Sequence, residues 1–328
     1  MRFKVRIWFL GENYNSDKQI EEFYSDVRSR LWMTYRKDFE PIHGIAPTTD
    51  KGWGCMLRCG QMVLAQTLIS KHLGRDWRWS RNCDDKVYQS ILKMFHDNIN
   101  SFYSIHRMAQ MGAVDGIPVR SHFTPNDVAQ ILKDLSIDDR WNNLHIHVAL
   151  DNIVCVKDIK DIFSNKESND KSDDKKSVLL FIPLRIGLSK ADPVYFQSLK
   201  CTFEMKQSVG IIGGRPHRGL YFVGYTDNQL LYFDPHKTQQ TVNLSKFDDV
   251  SYHQEKLYQM NINHIDPSIA LCFHFESNIS FDDWCCSVSK NFVVNQKQPL
   301  FELSETGVHR QTVQELAAEK QILDYDYI

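Results

Sequence analysis

The sequence predicts an α+β fold, and three observations carry that prediction. Helical patterns concentrate between residues 17 and 135, whereas strand patterns dominate from 178 to 275. Such segregation places a helical half against a sheet half, with a cleft between them as the natural site. The third observation is the longest helical pattern, which begins at Cys55, directly after the turn Gly52-Trp53-Gly54.

In order, residues 3 to 9 read as a short strand with aromatics at Trp8 and Phe9. A mixed helical pattern covers 17 to 33 through Ile20, Phe23, Val27 and Leu31. Residues 39 to 54 hold Pro41, Gly44, Pro47, Gly52 and Gly54, which punctuate a loop. From Cys55 to about Leu73 apolar residues return at helical spacing. A further helix is expected over 87 to 110. Another runs from Pro125 to Leu135, where Thr124 is a good N-cap and Pro125 a good first residue. Residues 144 to 155 alternate as a strand, with Leu144, Ile146, Val148 and Leu150 on one side and His145 and His147 on the other. The stretch 164 to 177 is polar and charged and predicts a disordered surface loop. Strands follow at 178 to 184, 208 to 213, 219 to 225, 229 to 234 and 269 to 275, then a helix over 282 to 289. After about Phe301 the chain turns polar and reads as a mobile tail.

The composition narrows the function classes. At 328 residues, 42% of them hydrophobic and 24% charged, the chain can bury a sizeable core. A net charge of -2 gives no general drive toward nucleic acid. Apolar runs such as Val178 to Ile182 are too short to span a bilayer. The N-terminal MRFKVRIWFL is basic and apolar, but polar residues follow it at once and no small-residue cleavage site appears. It reads as a strand rather than a signal peptide. Eight cysteines, spread over a chain that builds its own core, point to reduced thiols in a cytoplasmic protein. Neither Cys55/Cys59 nor Cys285/Cys286 has zinc-knuckle spacing, and no His-Glu-x-x-His occurs, so no metal and no cofactor is expected.

The chemistry-bearing residues lie in two distant segments. A helix starting at 54 or 55 puts the Cys55 thiol beside the unpaired N–H groups of its first turn, where the macrodipole favours a thiolate. A buried core cysteine is the competing reading, and position alone leaves both open. Cys59, one turn deeper, reads as core packing rather than as a redox partner. Far downstream, Asp234-Pro235-His236 follows the strand pattern Leu230 to Phe233. In extended chain residues 234 and 236 share a face, and Pro235 restricts Asp234. The carboxylate can then orient the imidazole toward a thiol. A hairpin turn with an exposed histidine is the alternative. Together the two segments supply nucleophile, base and orienting carboxylate. Tyr35, ahead of the nucleophile loop, has the reach to donate to an oxyanion, although a packed tyrosine fits equally. Trp53 beside Cys55 would narrow the cleft and favour glycine before the scissile bond.

The segment from Asp50 to Met62 resembles the nucleophile signature of the autophagy-related cysteine proteases, the autophagins. Tyr232 to Gln239 is similar to their Asp-Pro-His element. Further likenesses are Ser29 to Lys37, Leu73 to Trp79, Ile182 to Arg185, Ile212 to Pro216, Tyr221 to Tyr225 and Asp266 to Ala270, so that the resemblance spans about residues 6 to 303. It implies a papain-like fold with a small inserted auxiliary α/β domain. The core would occupy 1–79 and 178–303, the insertion and polar loop 80–177, and a flexible tail 304–328.

The resemblance also implies cleavage of ubiquitin-like autophagy modifier proteins after a C-terminal glycine. Both the free precursor and the modifier conjugated to phosphatidylethanolamine on autophagic membranes would be substrates. Cys55, His236 and Asp234 map to nucleophile, base and orienting aspartate, and Tyr35 to the oxyanion donor. Gly213 to His217 resembles a loop covering the empty cleft, with Pro216 matching its proline. His122 stands where relatives carry a tryptophan facing that loop. Tyr325-Asp326-Tyr327-Ile328 resembles a modifier-docking motif in which Tyr325 and Ile328 fill two pockets. A monomer is expected. Three other readings are a silent modifier-binding scaffold, a Cys55/Cys59 oxidoreductase and a protease acting on ubiquitin itself. The first leaves the retained Cys55, Asp234 and His236 without a purpose, and the second leaves Asp-Pro-His unexplained.

Overall fold

The computed structural model describes residues 6–44, 47–81, 83–164, 176–215, 218–242, 248–290 and 298–306. The first part of the chain forms β1 (Arg6–Phe9), β2 (Glu12–Asn15), α1 (Ile20–Arg28), β3 (Tyr35–Lys37) and α2 (Cys55–Leu73). Next come α3 (Lys86–Lys93), α4 (Ile105–Val114), α5 (Pro125–Ser136), β4 (Leu144–Val148), β5 (Ile153–Cys155) and α6 (Val156–Ser164). The remainder forms β6 (Ser177–Arg185), α7 (Phe196–Glu204), β7 (Ser208–Arg215), β8 (Arg218–Thr226), β9 (Gln229–Phe233) and β10 (Thr238–Gln240). After these come β11 (Tyr258–Asn261), β12 (Ser268–Phe275), α8 (Asn278–Val288) and β13 (Glu302–Ser304).

The fold is α+β, built on a sheet in the order β11-β9-β8-β7-β12-β6-β4, with β1 and β2 joining through β8. Neighbours are antiparallel except β4 and β6, which run parallel. Helices cover both faces. Leu179 and Phe181 of β6 and Ala270 and Cys272 of β12 join one apolar cluster with α2. Val178, Leu180 and Ile182, with Leu271, Phe273 and Phe275, join the other with Phe281 and Trp284 of α8. This double coverage explains why 178 to 182 reads as an unbroken apolar run.

Helix α2 is buried from Cys55 through Ser70, polar residues included. Its sequence therefore shows little amphipathy, as a helix packed all round should. It lies on β7 and β8, with α3, α4 and α5 packed against it. A Cβ on Gly60 would meet Val128 Cγ1 of α5 at 2.2 Å, so the glycine permits that close crossing. The buried side chains of α3, α4, α5 and β4 join the α2 cluster, so residues 86 to 148 share one core with the nucleophile-bearing helix.

Several expected elements differ in detail. The helix over 87 to 110 is two helices, because Asn98 turns the chain with its Oδ1 accepting from Asn100 N and Ser101 N, and Ser104 caps α4. The strand over 144 to 155 breaks at Asp151 and Asn152, both at positive φ (52° and 61°). Thr124 does cap α5, in a reciprocal capping box with Asp127. The chain past Phe301 holds a strand, β13, paired parallel with β5. Of the expected loop over 164 to 177, Ser164 ends α6 and Ser177 opens β6, while 165–175 lie outside the described residues, as do 307–328, Pro216 and His217.

Candidate active site

Two short strands with little apolar signature place the chemistry. β3 pairs parallel with β10, setting Tyr35 opposite Thr238. Tyr35 N donates to Pro235 O at 2.9 Å, and Trp32 Nε1 donates to Asp234 O at 2.9 Å. Asp234-Pro235-His236 is therefore pinned to the strand that carries Tyr35. The element is a turn rather than extended chain: Asp234 Oδ1 accepts from His236 N at 3.0 Å and from His236 Nδ1 at 2.5 Å. The carboxylate caps its own turn, and the same oxygen holds the ring. Arg218 Nη2 stands 3.4 Å from the other carboxylate oxygen.

Cys55 opens α2 behind Gly54 and is 4% exposed. His236 Nε2 is buried and makes no hydrogen bond. It lies close enough to the thiol that each group shifts the other's titration. Tyr35 flanks the pair, its ring edge-on to His236 with centroids 5.3 Å apart and its hydroxyl near enough to Cys55 for each to shift the other's titration. Burial resists a thiolate at Cys55, but His236, the Gly219 backbone N–H and the Tyr35 hydroxyl together hold its pKa below the ordinary thiol value. Burial likewise opposes an imidazolium, yet the hydrogen bond to Asp234 and the neighbouring Cys55 raise His236 to about 9. Burial would raise Asp234 too, and the His236 contacts outweigh it and hold the carboxyl low, with Arg218 adding to them. Burial, then the Cys55 charge and hydrogen bond, push the Tyr35 phenol well above its usual range, so it stays a protonated donor. These shifts move Cys55 toward the thiolate, His236 toward the imidazolium and Asp234 toward the carboxylate, while Tyr35 keeps its proton.

The cavity beside Cys55 has a volume of about 200 Å³. One wall is His122 to Pro125, the N-terminal entry of α5; the opposite wall is Gly213 to Arg215 with Arg218 and Gly219. A Cβ on Gly219 would lie 3.1 Å from Met56 N and 3.3 Å from Cys55 C, so β8 and the nucleophile turn are in close contact. His122 is one of the residues lining the cavity. Trp53 does not line this cavity. Its ring is 4% exposed, packs in the α2 core, and its Nε1 donates to Thr49 O at 3.0 Å. Met56 and Gly219 line the cavity beside Cys55 instead. Pro216, Tyr325 and Ile328 lie outside the described residues.

Sequence reasoning missed Arg218, the Gly219 backbone and the Trp32 indole. None has a spacing signature, and only the likeness over Ser29 to Lys37 could have flagged Trp32. Among the described residues no group of three His, Cys, Asp or Glu side chains could hold a metal ion, and no helix is long and apolar enough to cross a membrane.

Comparison with known proteins gives the family. The peptidase C54 catalytic domain matches residues 20–287. A cysteine protease ATG4B of Xenopus laevis is 42% identical over 317 residues, covering 90% of this chain and 83% of the relative. A cysteine protease ATG4A of Gallus gallus is 40% identical over 324 residues, 90% of this chain and 85% of that protein. The Homo sapiens cysteine protease ATG4A is 40% identical over 324 residues, with 90% and 81% covered. With a cysteine at a helix N-terminus, an imidazole held by a carboxylate, and a domain match across most of its length, the chain belongs to the peptidase C54 family, the papain-like cysteine proteases of autophagy.

Proposed function

We propose that this protease cleaves ubiquitin-like autophagy modifiers after a C-terminal glycine. Two substrates share the reaction: the precursor, whose glycine is followed by further residues, and the modifier joined to phosphatidylethanolamine. In both the bond is an amide on the glycine carbonyl, and only the leaving amine differs. One catalytic centre therefore serves maturation and release from lipid.

The observation that carries this reading is the placement of His236 and Tyr35 around the Cys55 thiol. His236 Nδ1–H stays on Asp234, which fixes the tautomer. Nε2 takes the Cys55 proton, and the thiolate attacks the glycine carbonyl carbon. The Tyr35 hydroxyl and the Cys55 backbone N–H donate to the resulting oxyanion. His236 Nε2–H then protonates the departing amine, leaving a thioester at Cys55. Water, deprotonated by His236, hydrolyses that thioester and restores the thiol.

The cavity supports a preference for glycine. The thiol is nearly buried, and Gly213, Gly214 and Gly219 are among the residues lining the cavity beside it. A thin extended tail fits such a path. The C-terminal tail segment with Tyr325 and Ile328 would add a second, tethered contact to the modifier.

The test is a matched pair of substrates, a modifier precursor and the same modifier on phosphatidylethanolamine vesicles. Wild-type protein is expected to cut both and the Cys55→Ala variant neither, with a ubiquitin precursor cut far more slowly. Cleavage of the precursor without release from lipid would refute the dual role. Equal rates on glycine and alanine tails would refute the narrow-path argument.

A further inference from the structure

We propose that Asp50 is a positioning residue for this reaction, fixing the Tyr35 hydroxyl and the Cys55 thiol relative to each other. The inference rests on the roles given above to Cys55 and Tyr35. Those two residues sit on separate elements, β3 and the start of α2. Nothing in either element alone sets their separation.

Asp50 grips both. Its Oδ1 accepts from the backbone N–H of Arg36, the residue after Tyr35, at 2.6 Å. Its backbone N–H donates to Arg36 O at 3.3 Å. On the other side, its carbonyl accepts from Gly54 N at 2.9 Å and from Trp53 N at 3.2 Å, which folds the turn in front of Cys55. Its Oδ2 accepts from Arg58 Nε at 2.8 Å, within the first turn of α2. The carboxylate is fully buried, and a Cβ on Gly54 would lie 2.5 Å from Oδ2, so the site has no slack. Arg58 is itself held: Nη1 donates to Asp97 Oδ1 at 2.8 Å and to Gln61 Oε1 at 3.1 Å. Gln61 Nε2 in turn donates to Tyr103 O at 2.7 Å. The grip is therefore anchored in the helical layer behind the site.

A buried ion cluster of this kind is poor value as pure stabilisation, since its desolvation offsets most of its attraction. What it supplies is direction. Charge-assisted hydrogen bonds to two elements hold them at a set distance and angle. An oxyanion donor misplaced by about 1 Å can cost about 10²-fold in rate. The charge of Asp50 also reaches Tyr35, one of the influences that keep its phenol protonated.

The experiment is a double-mutant cycle on the full chain with Asp50→Asn and Tyr35→Phe, reading kcat and KM on one precursor. Iodoacetamide labelling of Cys55 against pH is read in parallel. Asp50→Asn is expected to lower kcat by about 10- to 100-fold, with KM close to wild type and the Cys55 labelling profile moved to higher pH no further than in Tyr35→Phe. In the Tyr35→Phe background the same substitution should cost little more, because the donor it positions is gone. A Gly54→Ala variant, which presses on Oδ2 while keeping the carboxylate, should repeat the pattern and serves where Asp50→Asn folds poorly. Losses that multiply across the cycle, or a folded Asp50→Asn enzyme at wild-type kcat, overturn the positioning role alone. Wild-type kcat in Tyr35→Phe overturns the Tyr35 assignment and this inference with it.

Discussion

Cys55 and Cys59 lie one turn apart on the same buried helix, yet their thiols are driven in opposite directions. Both are free and nearly sealed from solvent, 4% and 0% exposed. Burial pushes each thiol up. At Cys55 the His236 ring, the Gly219 N–H and the Tyr35 hydroxyl reverse that push. At Cys59 nothing does, and the charges of Cys55 and Asp234 drive it further up. Reactivity is thus set by what meets the helix end. A step of about 6 Å along the axis separates a nucleophile from an inert apolar filler.

The largest expected effect removes one side of the contrast. Cys55→Ala should lower precursor cleavage by about 10⁴-fold or more. Cys59→Ala should keep kcat while costing about 1 kcal/mol of stability through lost packing. A gel-based cleavage assay and a thermal melt on both variants decide it. Comparable rate losses in two folded variants would mean that the thiols act together. Iodoacetamide mapping at neutral pH should find label on Cys55 well before Cys59.

Next comes the group that creates the contrast. His236→Ala should cost about 10³-fold or more in kcat and return the Cys55 thiol toward its ordinary range, slowing its alkylation near pH 7. Asp234→Asn should act through the ring. Because Asp234 raises His236, its neutralisation should move the basic limb of the kcat/KM profile downward from about 9. A basic limb that stays in place would take Asp234 out of that role.

A smaller loss is expected at Tyr35. Tyr35→Phe should lower kcat by about 10²-fold with little change in KM, since the bond strengthens only as charge develops. A lowered melting temperature with normal kcat would make the residue structural instead.

The smallest effect is on stability. His236 titrates near 9 when folded against an ordinary 6.5, so folding binds its proton more tightly. That contribution is complete below about 6.5 and disappears as pH rises through about 9. The melting-temperature penalty of His236→Ala should accordingly be larger at pH 6 than at pH 9.5. Equal penalties at the two pH values would show that the ring is not held as imidazolium.

Much of this architecture could be read from residues alone, for identifiable reasons. Helix α2 announced itself because its apolar spacing is dense and a glycine turn precedes it. Strands β6 and β12 did so because they are buried on both faces. The pairing of β3 with β10 was illegible: Tyr35-Arg36-Lys37 and Thr238-Gln239-Gln240 are three-residue strands rich in polar side chains. Their partnership is a fact of tertiary folding. The Asp50–Arg58–Asp97 cluster was hidden for a related reason, since charged residues in a loop and on a helix read as solvated until burial is known. Trp53 misled because adjacency in sequence to Cys55 stood in for orientation. Its indole turns back to Thr49 and leaves the cavity to Met56 and glycine backbone.

The indole of Trp32 reaches a carbonyl 202 residues further along the chain, and that bond closes the site. On the ribosome the thiol emerges long before its base. Until β10 finds β3, Cys55 is an ordinary cysteine with no proton acceptor beside it. Contacts of such sequence separation form late, after loop-closure entropy has been overcome. Latency during synthesis is therefore written into the connectivity. A ribosome-bound chain stalled before residue 234 should carry no proteolytic power, however well its first helices have folded.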